Sequence, residues 1–264
     1  MIINNKFKID TVINKGAFGT VAKGIKIKDN KPIVIKFDTT DVNILKHETF
    51  ILNYLHSKKI KFIPYVIYYG LYKNNPFLVI PLYDCNLNQL VNNNTLSNVQ
   101  SLRIIYKLLL ILKDIHSNYV IHRDLKPENI MVHNNDIYII DFGLSTFYFN
   151  DDGEHIENTK INSIVGSLKF SSIFVNQLNT PSRRDDIISI FYILLLLLFK
   201  DLPWSQINQD DYLKRKSLLY IIELSKFHEY DNFLNNIFNY LYKLDFDEKP
   251  LYDFILNSFD NLIN

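Results

Sequence analysis

Four polar side chains in one short stretch of the sequence have the types and spacing that phosphoryl transfer requires. The stretch runs from Ile121 to Gly143 and reads IHRDLKPENIMVHNNDIYIIDFG. Asp124 can accept the proton of an incoming hydroxyl group, and Lys126 can steady the transferring phosphoryl group. Asn129 and Asp141 offer oxygen atoms that can hold Mg²⁺ against nucleotide phosphates. The stretch therefore predicts a catalytic site for phosphoryl transfer.

The elements around these residues are predicted to bring them together. Asp124 and Asn129 lie on one tight loop, and the apolar strand 137–140 then delivers Asp141 to the same cavity. The preceding segment 101–117 has helical periodicity and would give the loop a firm base. A plainer interpretation takes H-R-D as a polar turn and D-F-G as a strand end. That interpretation leaves the spacing of the two motifs unexplained.

A glycine-containing turn near the amino terminus suits the phosphates of a nucleotide. Strands are predicted at Phe7–Ile13 and Thr20–Lys26, and Gly16 and Gly19 lie between them. Backbone amides at glycine can approach phosphate oxygens without obstruction by side chains. The phosphate-loop pattern G-x-G-x-x-G has its first glycine where this chain has Asn14, a residue type that tolerates left-handed backbone angles. A phosphate-binding turn is therefore expected in spite of the substitution.

An ion pair is predicted between the next strand and the helix after it. Lys36 lies near the end of the predicted strand Pro32–Phe37 and can reach the α- and β-phosphates if an acid holds it in place. The helix is predicted to begin near Thr40 and Asp41, and Glu48 lies in its middle. Either residue alone would be an ordinary surface charge. The order of strand and helix favours pairing of the two.

An adenine pocket is predicted where two further strands, Val66–Tyr72 and Phe77–Ile80, end. Backbone groups at Leu82 would meet the edge of the ring, and Ile80 would limit the depth of the pocket. Ordinary core packing explains the same apolar residues equally well, and the two interpretations are compatible. The full set predicted to bind ATP is Ile13, Gly16, Gly19, Val21, Val34, Lys36, Ile80, Leu82, Met131 and Ile140.

Composition indicates a globular, intracellular protein. The chain has 264 residues, of which 47% are apolar, and a net charge of +1, which gives no overall attraction to nucleic acid or membranes. The lone Cys85 excludes an internal disulfide and a cysteine-based zinc site. No secretory signal is visible. The histidines other than His122 show no ligand-like clustering and are predicted to be ordinary surface or core residues. The apolar run Ile187–Phe199 is short for a membrane span, which predicts a buried helix.

The motifs H-R-D-x-K-x-x-N and D-F-G resemble the catalytic and metal-binding loops of protein kinases, and the resemblance extends over the whole chain. The second half is similar to the casein kinase 1 group, which includes the vaccinia-related kinases. The chain has no A-P-E triplet after the activation segment. It has instead 166–173, GSLKFSSI, which resembles the group's G-T-x-R-Y-x-S-I. It also has S-R-R-D-D at 182–186, L-P-W at 202–204 and LDFDEKPLY at 244–252.

This resemblance implies an α+β, bilobal protein kinase-like fold and Ser/Thr protein kinase activity with ATP and Mg²⁺. The chain would form a single domain over 1–264, with a small β-rich N-lobe carrying one helix at about 1–80, a hinge at about 81–85, and a larger helical C-lobe at about 86–264. Asp186 would brace the catalytic loop. The partners would be protein substrates, without nucleic acid or membrane, and a monomer is expected. The location would be the cytoplasm or nucleus, or the host cytoplasm if the chain is viral.

Members of this group often favour acidic or already phosphorylated substrates. Lys169 falls where the group has arginine, and Arg215 falls near a second basic position. Because lysine keeps the charge but loses the bidentate fork of arginine, these two residues are predicted as a substrate anion site with a weakened grip.

Two other function classes remain as alternatives. A pseudokinase would bind partners as a scaffold without catalysis, and Asn14 is its only support in the sequence. The complete set of Lys36, Glu48, Asp124 and the two predicted metal residues argues against it. A small-molecule phosphotransferase of kinase-like fold is disfavoured by Lys126 and by the segment 166–173, which resembles a peptide-docking region.

Overall fold

The computed structural model describes residues 1–16, 19–38, 43–93, 95–206, 211–217 and 230–263. Contacts between Cα atoms divide the chain into two compact units. The first unit comprises Met1–Cys85 and Met131–Ser145, and the second comprises Asn86–Ile130 and Thr146–Asn264. Strands dominate the first unit and helices the second, so the fold belongs to the α+β class.

An antiparallel sheet of six described strands forms the first unit, in the order β1-β2-β3-β4-β6-β5. Ile33 and Ile35 of β4 and Phe77 and Val79 of β6 are fully buried on one face. The two edges of the sheet approach each other, since the side-chain amide of Asn4, beside β1, donates to Leu71 O in β5, the strand at the other edge (3.3 Å). The strands are β1 (Ile2–Ile3), β2 (Phe7–Gly16), β3 (Gly19–Lys26), β4 (Lys31–Asp38), β5 (Tyr68–Tyr72) and β6 (Asn75–Pro81).

Helix α1 (Ile44–Ser57) covers the other face of the sheet. Its buried residues recur at helical spacing, and Leu45 packs against Leu78 and Ile80 of β6. The charged Glu48 lies on the same buried face. The helix begins after Asn43, which has a φ of 53°. The predicted caps Thr40 and Asp41 lie outside the described residues.

A β-hairpin completes the first unit and carries the second predicted metal residue. It consists of β9 (Ile130–His133) and β10 (Asp136–Ile139), and its turn uses Asn134 and Asn135 at φ values of 50° and 65°. Both angles suit asparagine in a two-residue hairpin turn. A 3₁₀ turn, Phe142–Leu144, follows, and Asp141 is the N-cap residue that precedes it. The strand predicted before Asp141 is thus confirmed, one residue earlier than expected.

The second unit is built around α5 (Arg183–Phe199), which is the helix predicted from the apolar run. Every residue from Arg183 to Leu198 is buried, so protein surrounds the helix on all sides. In the described part of the chain, no helix is long and apolar enough to cross a membrane. The long helix α3 (Asn98–Ser117) packs against α5 and begins at a capping box formed by Ser97 and Gln100.

The second unit contains further described strands and helices. They are β7 (Cys85–Asn86), α2 (Leu87–Asn92), β8 (Val120–Ile121), β11 (Thr146–Phe147), α4 (Ile173–Asn176), α6 (Tyr212–Ser217), α7 (Asp231–Lys243), α8 (Tyr252–Asn257) and α9 (Asp260–Ile263). The first residue of β7, Cys85, is also the last residue of the first segment of the first unit. Strand β8 pairs with β11, and the predicted catalytic loop follows β8 directly.

Candidate active site

Asp186, on α5, holds the backbone of the loop that carries Asp124. Its carboxylate accepts the N–H groups of His122 (2.6 Å) and Arg123 (2.8 Å), and it lies 3.0 Å from Nε2 of His116. Arg123 has a φ of 69°, a left-handed angle that costs energy in a residue with a side chain. The two bonds to Asp186 fix this unfavourable conformation. The bracing role that the resemblance implies for Asp186 is therefore present in the structure.

The environment of Asp186 stabilises its negative charge. Burial alone would raise its pKa, but the hydrogen bonds from His116 and from the His122 N–H hold the pKa below its ordinary value. Burial also lowers the pKa of His116, although Asp186 opposes the shift. The second ring nitrogen of His116 bonds Tyr252 of α8. The brace is thus a buried network that joins α3, α5 and α8.

The predicted catalytic base, Asp124, is held by three donors. Its Oδ1 accepts the N–H of Ser167 (2.9 Å), and its Oδ2 accepts Lys126 Nζ (2.6 Å) and Asn129 Nδ2 (3.1 Å). Asn129 also donates to the backbone carbonyl of Asp124 (2.9 Å). The structure therefore brings together Asp124, Lys126 and Asn129, as the spacing predicts. The donors fix the orientation of the carboxylate, which is what a base that positions a hydroxyl group needs.

Gly166 allows the bond from Ser167 to form, and sequence reasoning assigned it no role of its own. Its φ is 81°, and a Cβ atom placed on it would lie 2.3 Å from Arg123 O and 3.2 Å from Oδ1 of Asp124. Because no side chain fits there, a glycine is required where the chain passes the catalytic loop. The glycine that opens the segment GSLKFSSI was the available signal.

In the first unit, Lys36 links two carboxylates. Its Nζ lies 2.8 Å and 3.0 Å from the two carboxylate oxygens of Glu48 and 2.9 Å from Oδ1 of Asp141. Burial alone would lower the pKa of Lys36, but the charges of Asp141 and Glu48 raise it above its ordinary value. The predicted pairing of Lys36 with Glu48 is present. The direct contact between Lys36 and Asp141 was not foreseen.

A cavity of about 190 Å³ in the first unit contains this ionic group. Gly19 and Val21 of β3 line it, and so does Asn14, the residue that replaces the first glycine of the phosphate loop. The cavity offers one ammonium group and two carboxylates beside the glycine-containing turn. An ammonium group suits phosphate oxygens and a carboxylate suits Mg²⁺, so the residues fit a metal–nucleotide complex.

The remaining predicted ATP residues lie elsewhere in the first unit. Ile80 is buried against Leu45, with Val34 beside it, and Ile13 is half exposed on β2. Met131 and Ile140 are partly buried in and after the hairpin. Leu82 lines a different cavity of about 430 Å³, together with Lys26, Lys31 and His133. Gly16 ends β2, next to residues outside the described part. The structure thus brings Gly19, Val21 and Lys36 into the cavity with Asp141, but neither Ile80 nor Leu82.

The predicted substrate anion site is only partly described. Lys169 accepts a hydrogen bond from Trp204 Nε1 through its backbone carbonyl (2.9 Å), and its ammonium group lies 6.0 Å from the Phe170 ring. Arg215 falls on α6, and its side chain lies outside the described residues. The joint anion site of Lys169 and Arg215 therefore stays a prediction.

The residue after Arg215 has a clear structural role that sequence reasoning missed. Lys216 is fully buried, and its Nζ donates to Leu168 O (2.8 Å), Ser171 O (2.7 Å) and Asn176 Oδ1 (2.9 Å). Burial lowers its pKa to about 7. The available signal was helical phase, because the buried Tyr212 lies four residues earlier on the same helix. Lys216 ties α6 to the segment that resembles a peptide-docking region.

Comparison with known proteins agrees with this arrangement. A family model described as the protein kinase domain matches residues 7–259. A probable casein kinase I homolog of Encephalitozoon cuniculi (strain GB-M1) is 32% identical over 96% of this chain and 83% of its own length. Casein kinase I homologs 3 and 2 of Schizosaccharomyces pombe (strain 972 / ATCC 24843) are 25% and 26% identical, each over 99% of this chain and 63% of its own length.

The family match covers both the Lys36 group and the Asp124 loop, together with the segment from Gly166 onward. The chain therefore belongs to the protein kinase family and, within it, to the casein kinase 1 group of serine/threonine protein kinases.

Proposed function

We propose that the chain is a catalytically active enzyme that transfers the γ-phosphoryl group of Mg-ATP to Ser and Thr hydroxyl groups of proteins. The observation that carries the proposal is the triple restraint on the Asp124 carboxylate by Ser167, Lys126 and Asn129. A scaffold that only binds partners has no need for a buried carboxylate with a defined orientation. The family match over 7–259 supports one kinase domain across the chain.

The nucleotide and metal would be held by the groups that the sequence predicts. Lys36, kept in place by Glu48, would bind phosphate oxygens, and Asn129 and Asp141 would hold Mg²⁺. The metal ion supplies positive charge that offsets the charge on the phosphates. Asp141 lies 2.9 Å from Lys36, so the proposed metal residue and the proposed phosphate-binding residue are neighbours. The other residues that the sequence predicts to bind ATP remain part of the proposal. They are Ile13, Gly16, Gly19, Val21, Val34, Ile80, Leu82, Met131 and Ile140.

The chain's own residues would carry the reaction by positioning and charge. Asp124 would orient the acceptor hydroxyl and take its proton, while Lys126 would stabilise charge on the transferring group. Lys126 is already 2.6 Å from the Asp124 carboxylate, so the base and the cation act as one unit. Little covalent chemistry is required of the protein, and pre-organised electrostatics account for the rate.

Replacing the base tests this proposal. Asp124→Asn is expected to abolish transfer to a protein substrate and autophosphorylation, while ATP binding is retained. A matched control is Asp114→Asn, because Asp114 is an exposed residue of α3. Transfer measured with labelled ATP should be normal in the control. Unchanged turnover in Asp124→Asn would refute the assignment.

The pseudokinase alternative has one structural observation in its favour. Asn14 replaces a glycine and lines the cavity that contains Lys36, so its side chain occupies space next to the proposed phosphate site. If the chain is a scaffold, purified protein will bind ATP weakly or not at all and will transfer no label to itself or to a substrate. Restoring glycine with Asn14→Gly separates a weak enzyme from a scaffold, because only the enzyme gains activity.

We further propose a preference for acidic or already phosphorylated substrates. The support is the basic character of Lys169 and Arg215 and the naming of the relatives as casein kinase I homologs. Replacing Lys169 and Arg215 with alanine should selectively slow phosphorylation of primed peptides. An equal loss on unprimed peptides would exclude the preference.

A further inference from the structure

A histidine on α1 contacts the segment that follows the proposed metal residue. His47 immediately precedes Glu48, and its Nε2 lies 2.7 Å from the backbone carbonyl of Ser145. The Ser145 side chain is fully buried, whereas His47 is exposed on the surface of the helix. A carbonyl oxygen only accepts, so the imidazole donates from Nε2. The sequence predicts His47 to be an ordinary surface or core residue.

The contact belongs to a set that fastens α1 to residues 141–145. Lys36 bridges Glu48 and Asp141, and Glu48 accepts a hydrogen bond from the backbone of Phe142. At Gly143 the packing is so close that a Cβ atom would lie 2.8 Å from a methyl carbon of Ile44. The His47 bond fastens the far end of this segment, on the turn of helix that carries Glu48.

The bond to Ser145 differs from the polar contacts of Lys36 and Glu48 in this set because it uses no side chain that the reaction needs. Lys36, Glu48 and Asp141 would all exchange or share their contacts when a metal and a nucleotide bind. The proposed mechanism assigns neither His47 nor the Ser145 carbonyl to the metal or the nucleotide. Their bond can therefore keep α1 in register while the ionic contacts of the cavity rearrange.

We infer that His47 is a positioning residue for phosphoryl transfer, which holds Glu48 against Lys36 by fastening α1 to the segment after Asp141. This inference rests on the proposed function. Without the bond, α1 spends more time away from the segment and Lys36 loses its partner for that time. A single hydrogen bond shifts such an equilibrium by a factor of about 2 to 10. The loss should appear in steps that involve ATP and leave peptide binding unchanged.

A series of substitutions at this exposed position tests the inference. His47→Gln retains an amide N–H at nearly the position of Nε2. His47→Glu has the same shape as the glutamine variant but no N–H donor, and His47→Ala removes the side chain. His56→Ala is the matched control, because His56 lies on the same helix and its Nε2 lies 2.9 Å from another carbonyl, Pro64 O. The kinetic constants for ATP and for peptide are measured separately. Hydrogen–deuterium exchange is followed for the amides of residues 141–147.

The expected result is a fall of about 2- to 10-fold in kcat/KM for ATP in the alanine and glutamate variants, with the KM for peptide unchanged. The glutamine variant and His56→Ala should behave as wild type, and all melting temperatures should stay close together. Amides in 141–147 should exchange faster in His47→Ala and His47→Glu only. If these two variants match wild type in exchange and kinetics, or if His47→Gln is as impaired as His47→Ala, the inference is overturned. The exchange experiment needs no turnover, so it distinguishes failure of this inference from failure of the proposed function.

Discussion

Replacing Asp186 with asparagine should destabilise the second unit and impair the catalytic loop together. The carboxylate accepts two backbone N–H groups, at 2.6 Å and 2.8 Å, and is buried with His116. Asparagine has the same shape but only one acceptor oxygen. Its NH₂ group would therefore face one of the two backbone N–H groups that the carboxylate accepts. One charge-assisted bond is lost, at about 1.5–3 kcal/mol, and one buried N–H is left unpaired, at about 1–3 kcal/mol. The expected loss is about 3–5 kcal/mol, in the range found when a buried charge pair is broken.

Loss of kcat should accompany the loss of stability, because Arg123 would be free to leave its left-handed conformation and Asp124 follows it in the chain. Urea unfolding gives the free energy, and a melting curve should shift down by roughly 6–20 °C for a chain of this size. Asp253→Asn is the control, since that carboxylate is 82% exposed and pairs with Lys113 at the surface. A stability change below about 1 kcal/mol together with normal kcat would refute the argument, because such a loss is smaller than that of one unpaired buried group.

The same network predicts how stability depends on acid. The pKa values of both His116 and Asp186 are lower in the folded chain than their ordinary values of 6.5 and 3.8. The unfolded chain therefore binds protons more readily, and stability is lost as the pH falls, first below 6.5 and then below 3.8. In Asp186→Asn the second of these losses should be absent from a urea titration repeated across the acid range.

Three further changes have defined outcomes. Gly166→Ala places a Cβ atom 2.3 Å from Arg123 O, so it should cost about 1–3 kcal/mol in urea unfolding and lower kcat; normal values of both would contradict the packing. Glu48→Gln removes the charge that holds Lys36 and should lower kcat/KM for ATP by about 10- to 100-fold, whereas an unchanged value would mean that the pair is dispensable. Lys216 has a folded pKa of about 7 against an ordinary 10.5, so the unfolded chain binds its proton more tightly between these values and stability should rise with pH across them. Lys216→Met should flatten that rise in urea titrations, and an identical slope in wild type and variant would exclude the assignment.

Local spacing was sufficient to predict several strands and helices of the fold and the contacts between neighbouring polar residues. The apolar run in 187–199 predicted a helix that is buried on all sides, and α5 is such a helix. The short interval between Asp124 and Asn129 predicted their contact, because a chain of five residues cannot carry them far apart. The order of strand and helix likewise predicted that Lys36 would meet Glu48. These predictions concern periodicity and short loops, which depend on neighbouring residues alone.

The groups that hold the predicted catalytic residues in place were decided by the tertiary structure. Ser167, whose N–H orients Asp124, is 43 positions away along the chain, and the contact of His47 with Ser145 spans 98 positions. Lys216 shows the same dependence on packing, because its burial, and not its residue type, makes it a link between α6 and the backbone carbonyl of Leu168. Hydrogen bonds form only within about 3 Å and in a narrow range of angles, so they depend on the packing of distant elements. The sequence determined which chemistry was available, and the packing decided which atoms were close enough to carry it out.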